Sequence, residues 1–430
     1  MQRIISLLLT GLFVSSMSHA QFTALGGVNG SPYVYAPSAS TGLDKVFIFD
    51  GITNAQLVYT ASTPSDWSWY RYGQDPSTAV LVSASDVQTT TTQTILNNIQ
   101  AGCGYMLVSG EGSRHYVYVV AYTPVNYNEI QFVSDGDPCN TVSLAVSATE
   151  DDLVYYTTSG IKKILDRQHT LTWNTLDWNS TDKKYVSVEM SSTSVAYNWS
   201  VTAPLTNTYF TVSGDQYANF FGNTVKFKSA LYTAVAVKTN AEASVQERTA
   251  TNELDKVSSS ADLSGSAPLN IQFYSRPSDA VQYYEWYIYE SSDGSGSFTR
   301  YTDENILHSF RESGTFLVKL YVSNSTCKDS ASFSPNVSVS SLDCPNFFTP
   351  RSSPGENDEF KVAYKSIVSF KGTIVNRWGN VLFEWTDPSQ GWNGTYKGKA
   401  VSPGVYFYLI EAKGSDGIVY KKKGDINLLE

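Results

Sequence analysis

Val117-Tyr-Val-Val-Ala-Tyr122 and Phe316-Leu-Val-Lys-Leu-Tyr-Val322 are the stretches that set the fold class. Apolar residues alternate in both, and a period of two puts successive side chains on opposite faces of an extended backbone, so the pattern predicts half-buried β-strands. Ser-Gly, Asp-Gly and Gly-Asn turn signals separate such runs at short intervals, as in β-sandwiches. No segment sustains a helical period, and Thr94 to Ala101 is the one stretch where a short helical turn is expected. Composition points the same way: 29 Tyr, 20 Phe and 9 Trp stand against 4 Met, and aromatic and β-branched residues fit a pleated surface. The fold class is therefore all-β. A chain of 430 residues exceeds what one small core supports and predicts several compact units.

A degenerate repeat divides the chain. A tryptophan lies in an aromatic strand at Trp69, Trp199 and Trp286, followed after 36, 33 and 30 residues by Tyr105, Tyr232 and Phe316. In an immunoglobulin-like sandwich a core Trp faces a later central strand across the interior. The repeat predicts tandem immunoglobulin-like sandwiches near 22–125, 126–250 and 255–340, and a further all-β unit at 345–430. Residues 238–262 are rich in Ala, Ser, Thr, Asn and Glu and read as a flexible linker at the end of the second unit.

The N-terminus, MQRIISLLLTGLFVSSMSHA, has the parts of a secretory signal peptide: Arg3, an apolar run from Ile4 to Val14, and Ser18-x-Ala20 as a cleavage site. The run is too short for a permanent span, so 1–20 is expected to be removed and the mature chain to begin at Gln21. No later stretch is apolar enough to span as a helix. Charged residues are 16% of the chain and the formal net charge is −10, which argues against a nucleic-acid partner. From Pro345 onward 11 Lys/Arg face 9 Asp/Glu, so the acidity lies upstream. Four cysteines in an exported chain favour two disulfides over a metal site. Pairing neighbours gives Cys103 with Cys139 and Cys327 with Cys344, although sequence alone leaves the connectivity open.

Two resemblances add to this reading. Ala267-Pro268-Leu269, Tyr284-x-Trp286, His308-x-Phe310 and Gly314-Thr-Phe316 resemble the PKD family of extracellular β-sandwiches, which implies a spacer or protein-contact module and no chemistry. Asn346-x-Phe348-Thr349-Pro350, Asn357-Asp358-x-Phe360, Asn376-Arg377-Trp378-Gly379, Trp392-Asn393-Gly394 and Gly404-Val405-Tyr406-Phe407-Tyr408 resemble the gliding-motility-associated C-terminal domain. That family is the type B sorting domain of type IX secretion in the Bacteroidota. The resemblance implies export to the periplasm, passage through an outer-membrane translocon, an outer-membrane partner protein, and display at the cell surface. Arg351-Ser-Ser-Pro-Gly355 replaces the family's acidic loop, so no metal role is carried over, and Asn357 and Asp358 are expected to satisfy loop backbone groups. Arg377 is expected to stack on Trp378 or Trp392, with contact to the sorting machinery as the alternative. Lys421-Lys-Lys423 reads as a solvated edge strand.

Signals for catalysis are weak. His115, His169 and His308 are isolated, and no H-E-x-x-H, G-x-S-x-G or phosphate-binding glycine loop occurs. Asp135-Gly-Asp137 and Glu150-Asp-Asp152 lack the oxygen-ligand spacing of a calcium loop and read as solvated turns. No catalytic residue, metal ligand or cofactor is assigned. Trp67, Tyr70, Trp173 and Trp178 lie in segments with more aromatics than one strand face buries, and they are candidate glycan or partner contacts. The leading expectation is a non-enzymatic surface protein acting in adhesion or an extracellular assembly. A glycan-capture protein is the first alternative, and an enzyme with a site in 22–250 the second.

Overall fold

The computed structural model describes residues 21–61, 66–134, 136–256, 263–352 and 355–430. The expected signal peptide, Asp135, residues 257–262 and the middle of the Arg351–Gly355 loop lie outside the described residues. The chain is a series of β-sandwiches, each with its own apolar core.

In the first unit a four-stranded sheet (Gln21–Leu25, Gln56–Thr60, Gln93–Leu96, Val87–Thr89) faces a six-stranded one. The six run Tyr33–Tyr35, Lys45–Phe49, Arg114–Ala121, Cys103–Ser109, Trp67–Tyr72, Val80–Leu81. Phe22, Phe47, Phe49, Leu57, Trp69, Leu107 and Val117 fill the interior. The buried Trp69 indole N–H donates to Thr94 Oγ1 at 2.9 Å, so burying that ring leaves no polar group unmet. The helical turn expected at Thr94 to Ala101 is absent, because Gln93–Leu96 pairs with Gln56–Thr60 and alternates side chains into the core.

The second unit packs Asn126–Val133, Thr141–Thr149 and Asn198–Thr202 against Lys184–Ser194, His169–Asn179, Thr211–Ser213 and Lys226–Lys228. Two insertions leave this sandwich toward the first unit. One is the hairpin Val154–Tyr156/Lys162–Ile164, and the other carries the helix Gln216–Phe221. Asp215 caps that helix by accepting from the Ala218 N–H at 2.8 Å, and Gly222 closes it at φ +73°. Leu153, Tyr155, Leu165, Tyr217 and Phe221 cover the outer face of the six-stranded sheet. Lys45–Phe49 is thereby buried on both faces. At about 1.5–3 kcal/mol per large apolar side chain buried, this contact welds the two units.

The tryptophan repeat requires correction. Trp69 and Tyr105 lie on neighbouring strands of one sheet, as do Trp286 and the strand Leu317–Ser323, so neither pair meets across the interior. In the second unit the equivalent position belongs to Trp173, whose strand pairs with Thr211–Ser213. Trp199 is on the opposite sheet beside Leu144.

The third unit pairs Glu242–Val245, Leu269–Tyr274 and Asn305–Phe310 in one sheet, opposed by Phe298–Tyr301, Tyr283–Tyr289, Leu317–Ser323 and Lys328–Phe333. Trp286, Phe273, Ile271, Val318 and Leu320 are fully buried between them. Part of the expected linker is thus structured: Glu242–Val245 hydrogen-bonds to Leu269–Tyr274 as an edge strand. The fourth unit is built on a five-stranded sheet in the order Phe347–Phe348, Val419–Leu428, Gly404–Gly414, Ile367–Val375, Val381–Trp385.

The cysteine pairing differs from expectation. Cys139 bonds Cys327, with Cα atoms 5.5 Å apart, while Cys103 and Cys344 are free. Cys103 sits within the first sandwich opposite Val119, and Cys344 packs at the edge of the fourth core. Cys139 lies at the end of the second unit that meets the third, beside the turn holding Cys327. There Asn324 Nδ2 donates to Val235 O at 2.9 Å, and Lys238 N donates to Ser278 Oγ at 2.9 Å. Spatial adjacency at a joint, not proximity in sequence, selects the pair.

Candidate functional site

The C-terminal sandwich is where the sequence motifs concentrate, and packing divides them by role. Phe348, Phe360 and Trp392 are fully buried. Trp392 lies 5.4 Å from the Phe348 ring and 5.1 Å from Tyr406. Phe360 lies 5.4 Å from Tyr408. Phe360 and Trp392 also exchange backbone hydrogen bonds at 2.9 and 3.1 Å, and the Trp392 indole donates to Thr395 O at 2.8 Å. Phe348, Phe360 and Trp392 belong to the core of the unit, and Tyr406 and Tyr408 pack against it.

A second group shapes turns. Asn376 Oδ1 accepts from the N–H groups of Trp378 and Asn380, both at 3.0 Å, while Gly379 supplies φ +82°. Asn393 Oδ1 accepts from Thr395 N at 3.2 Å. Gly394 stands at φ +74°, with Leu428 Cδ1 3.0 Å from where a Cβ would be, so a larger residue here would be strained in its backbone and would press on Leu428. Asp358 accepts from Gly355 N at 2.6 Å, and Thr349 N donates to Asn357 O at 2.8 Å. Pro350 lies against Gly394, and Gly404 starts its strand at φ +148°. Arg351 Nη2 donates to Val401 O at 2.9 Å, so the altered loop is anchored by a guanidinium.

Arg377 and Trp378 of the motif set point to solvent together. The guanidinium carbon sits 4.5 Å from the Trp378 ring centroid. Trp378 is 73% exposed, a large apolar area to leave in water. Of the two partners expected for Arg377, Trp392 is enclosed and Trp378 is the one it meets. Together with Leu382, Pro403, Val405 and Phe407 they line a cleft of about 510 Å³. Val405, Phe407 and Leu409 point outward along Gly404–Gly414 and remain well exposed. Lys371, Lys421 and Lys423 border a second depression beside Leu409. Among the described residues no strand pairs with the far side of Val419–Ile426, since Phe347–Phe348 pairs only with Asn427 and Leu428. Lys421 and Lys423 therefore sit on an open strand edge, where charge opposes unwanted pairing, while Lys371 lies on the inner strand Ile367–Val375.

The joint to the third unit is polar, and a cleft of about 450 Å³ lined by Arg248, Glu253, Tyr364 and Asp387 opens beside it. Asn252 Nδ2 donates to Val362 O and Pro388 O, both at 2.8 Å. Glu253, with a side chain 1% exposed, pairs with Arg248 at 2.8 Å. Burial raises the Glu253 pKa against the opposing pull of Arg248. Ala267 N donates to Ser366 Oγ at 3.0 Å, and Ser340 Oγ donates to Asp416 Oδ1 at 2.7 Å. Hydrogen bonds, and no Cys327–Cys344 bridge, connect these units.

The remaining candidates are dispersed. Trp67 packs on Tyr59 at 4.9 Å, and Tyr70 packs against the second apolar cluster of the first unit. Trp173 is 7% exposed, its ring 5.8 Å from Phe210. Trp178 is half-buried against Tyr185 at 5.3 Å. These four form no common platform. Of the acidic stretch expected as a solvated turn, Asp151 and Asp152 are exposed, while Glu150 joins a buried network. Arg167 Nε is 2.6 Å from Asp215 and 3.0 Å from Glu150, and its other nitrogens donate to Asp151 O and Thr123 O. Burial disfavours the guanidinium charge, but the two carboxylates prevail and raise its pKa. Two carboxylates converge here on a clamping Arg at the first joint, with Asp215 shut from solvent; this is structural geometry. Asp137 caps its own turn through Cys139 N at 2.9 Å. Among the described residues no group of three or more His, Cys, Asp and Glu could hold a metal ion, and no helix is long and apolar enough to cross a membrane.

Residues 131–229 match the fibronectin type III domain model, consistent with the three-plus-four strand division of the second unit. No curated protein matches the chain. Among solved structures, Sidekick-1 immunoglobulin domains 1–5 align at 10% identity and TM-score 0.25, over 95% of this chain and 76% of that one. A structure titled as a Ca²⁺-stabilized adhesin that helps an Antarctic bacterium reach out and bind ice aligns at 11% identity and TM-score 0.21, over 96% and 99%. Residues 342–428 match the CHU_C type IX secretion signal domain, so the aromatic core, the Asn-Gly turns and the exposed Arg377–Trp378 pair all lie within a secretion signal.

Proposed function

We propose that this chain is a non-enzymatic protein of the Bacteroidota, carried to the cell surface or beyond by type IX secretion, and that its sandwiches act there in adhesion or as parts of an extracellular assembly. The match of residues 342–428 to a secretion signal domain carries the reading. Residues 1–20 serve as the signal peptide into the periplasm, and 345–430 as the sorting domain. The units at 22–125, 126–250 and 255–340 are the cargo, the last of them PKD-like. The exposed Arg377–Trp378 cleft and the outward Val405, Phe407 and Leu409 suit contact with the translocon or an outer-membrane partner protein. The core and turn residues of the motif set hold that surface in shape. The test is to follow the chain in cells lacking the type IX translocon: it should accumulate in the periplasm, and unchanged surface exposure there would refute the proposal.

A further inference from the structure

Residue 21, where the proposed signal peptide gives way to the mature chain, is also the first residue of the first sandwich. Gln21–Leu25 is an edge strand of the four-stranded sheet and pairs with Gln56–Thr60 from its first residue, Gln21 opposite Thr60. Alternation turns Phe22 and Ala24 inward and Gln21, Thr23 and Leu25 outward. Phe22 is 2% exposed, its ring lies 4.8 Å from Tyr59 and 6.0 Å from Trp69, and its carbonyl accepts from Lys45 Nζ at 2.8 Å. Core packing therefore reaches within one residue of the chain end that cleavage after Ala20 creates. Gln21 itself is exposed, and among the described residues no hydrogen bond holds its side chain. The polar group opposite is engaged elsewhere, since Thr60 Oγ1 accepts from Gln93 Nε2 at 3.4 Å.

We propose that Gln21 is a modification site, at which the mature chain closes its own N-terminus as a pyroglutamyl ring. The inference rests on the reading of residues 1–20 as a signal peptide, because cleavage supplies the nucleophile, the α-amine of Gln21. The α-nitrogen attacks the side-chain carbonyl carbon Cδ. The N–Cδ bond forms, the Cδ–Nε2 bond breaks, and the proton lost by the α-nitrogen leaves with Nε2 as ammonia. Nothing is oxidised or reduced. Amine and amide belong to one residue, so the five-membered ring needs only a side chain free to fold back. An outward, unheld side chain at a strand end has that freedom. The strand also tolerates the product: the lactam keeps its N–H, so pairing with Gln56–Thr60 is preserved, and a ring is accommodated at the first residue of an edge strand. Closure removes the terminal charge and with it the free amine that an aminopeptidase grips. An open end would let trimming reach Phe22 after one residue, and Phe22 is the first side chain of the core.

The test is amine labelling of the intact chain, recovered from cells that make the full precursor, followed by digestion and mass spectrometry of the N-terminal peptide. That peptide should begin at residue 21, lack the label and weigh one ammonia less than its glutamine form. Labelling before digestion separates rings present in the chain from rings formed during digestion. Gln21→Asn, whose shorter amide closes only a four-membered ring, should take up at least tenfold more label at the same position. An aminopeptidase should shorten the folded Gln21→Asn chain and leave the native chain at full length. A labelled glutamine at residue 21 would overturn the proposal and leave the signal-peptide reading standing, whereas a chain beginning at any other residue would overturn both. Equal trimming of the two chains would overturn the protective role.

Discussion

Replacing Arg167 with Met should open the joint between the first two units. The guanidinium is 4% exposed and faces Asp215, whose side chain is fully buried, at 2.6 Å. It also donates to Thr123 O at 2.8 Å and Asp151 O at 3.1 Å. Methionine fills much of the space but leaves the Asp215 charge with only the Ala218 N–H of the helix it caps. Removing one partner of a buried ion pair costs about 3–5 kcal/mol, which is about two to four decades in a local opening constant. Hydrogen exchange of peptides covering 149–166 and 215–223 reads that opening directly. Both should lose protection by that amount, while the third and fourth units keep theirs. Adding Asp215→Asn should restore at least tenfold, since the neutral side chain still caps the helix and the fully buried lone charge is gone, leaving the partly exposed Glu150 to reach water. A loss below tenfold for Arg167→Met, or no recovery in the double variant, would refute the reasoning.

Peptide mapping without reductant should recover a Cys139–Cys327 bridge and two alkylatable thiols, Cys103 and Cys344; a Cys103–Cys139 or Cys327–Cys344 peptide would contradict the structure. The bridge spans 188 residues, and loop-closure arithmetic gives it up to about 5 kcal/mol against the unfolded chain, so reduction should lower the thermal midpoint of the second and third units. Trp392→Ala should destabilise the C-terminal unit by about 3–5 kcal/mol as a buried aromatic truncation, whereas Trp378→Ala should cost under about 0.5 kcal/mol. Equal effects in thermal unfolding would mean that the core and surface assignments are wrong. Burial lowers the pKa of both His169 and His308, with Glu150 and Asp215 pulling His169 the other way. A histidine depressed in the folded state binds its proton more readily when unfolded. Stability is therefore complete above the unfolded value, about 6.5, and falls as pH drops below it. The unfolding midpoint should decline from there, and His308→Gln should flatten part of that decline.

Much of the fold was legible because burial on one sheet face writes a period of two into the sequence. Trp69 and Trp286 were found that way, and so was the C-terminal unit, whose Asn-Gly and Trp-Gly-Asn turns are local signals. What failed was non-local. The hairpin Val154–Tyr156/Lys162–Ile164 and the helix Gln216–Phe221 are insertions whose apolar residues face another unit. The helix did leave a signal, Asp215 as its cap and Gly222 at its end, but six residues are too few for a visible period. The cysteine pairing depended on which sandwich ends meet. The aromatic candidates were misdirected for a related reason: Trp67 and Trp173 are consumed by cores.

The claim that residues 345–430 direct export is tested most directly by deleting them and measuring, on intact cells, the fraction of the remaining chain removed by an added protease. The account predicts that the truncated chain becomes resistant and is recovered from the periplasm, while the full chain is digested. A truncated chain digested as readily as the full one would contradict it.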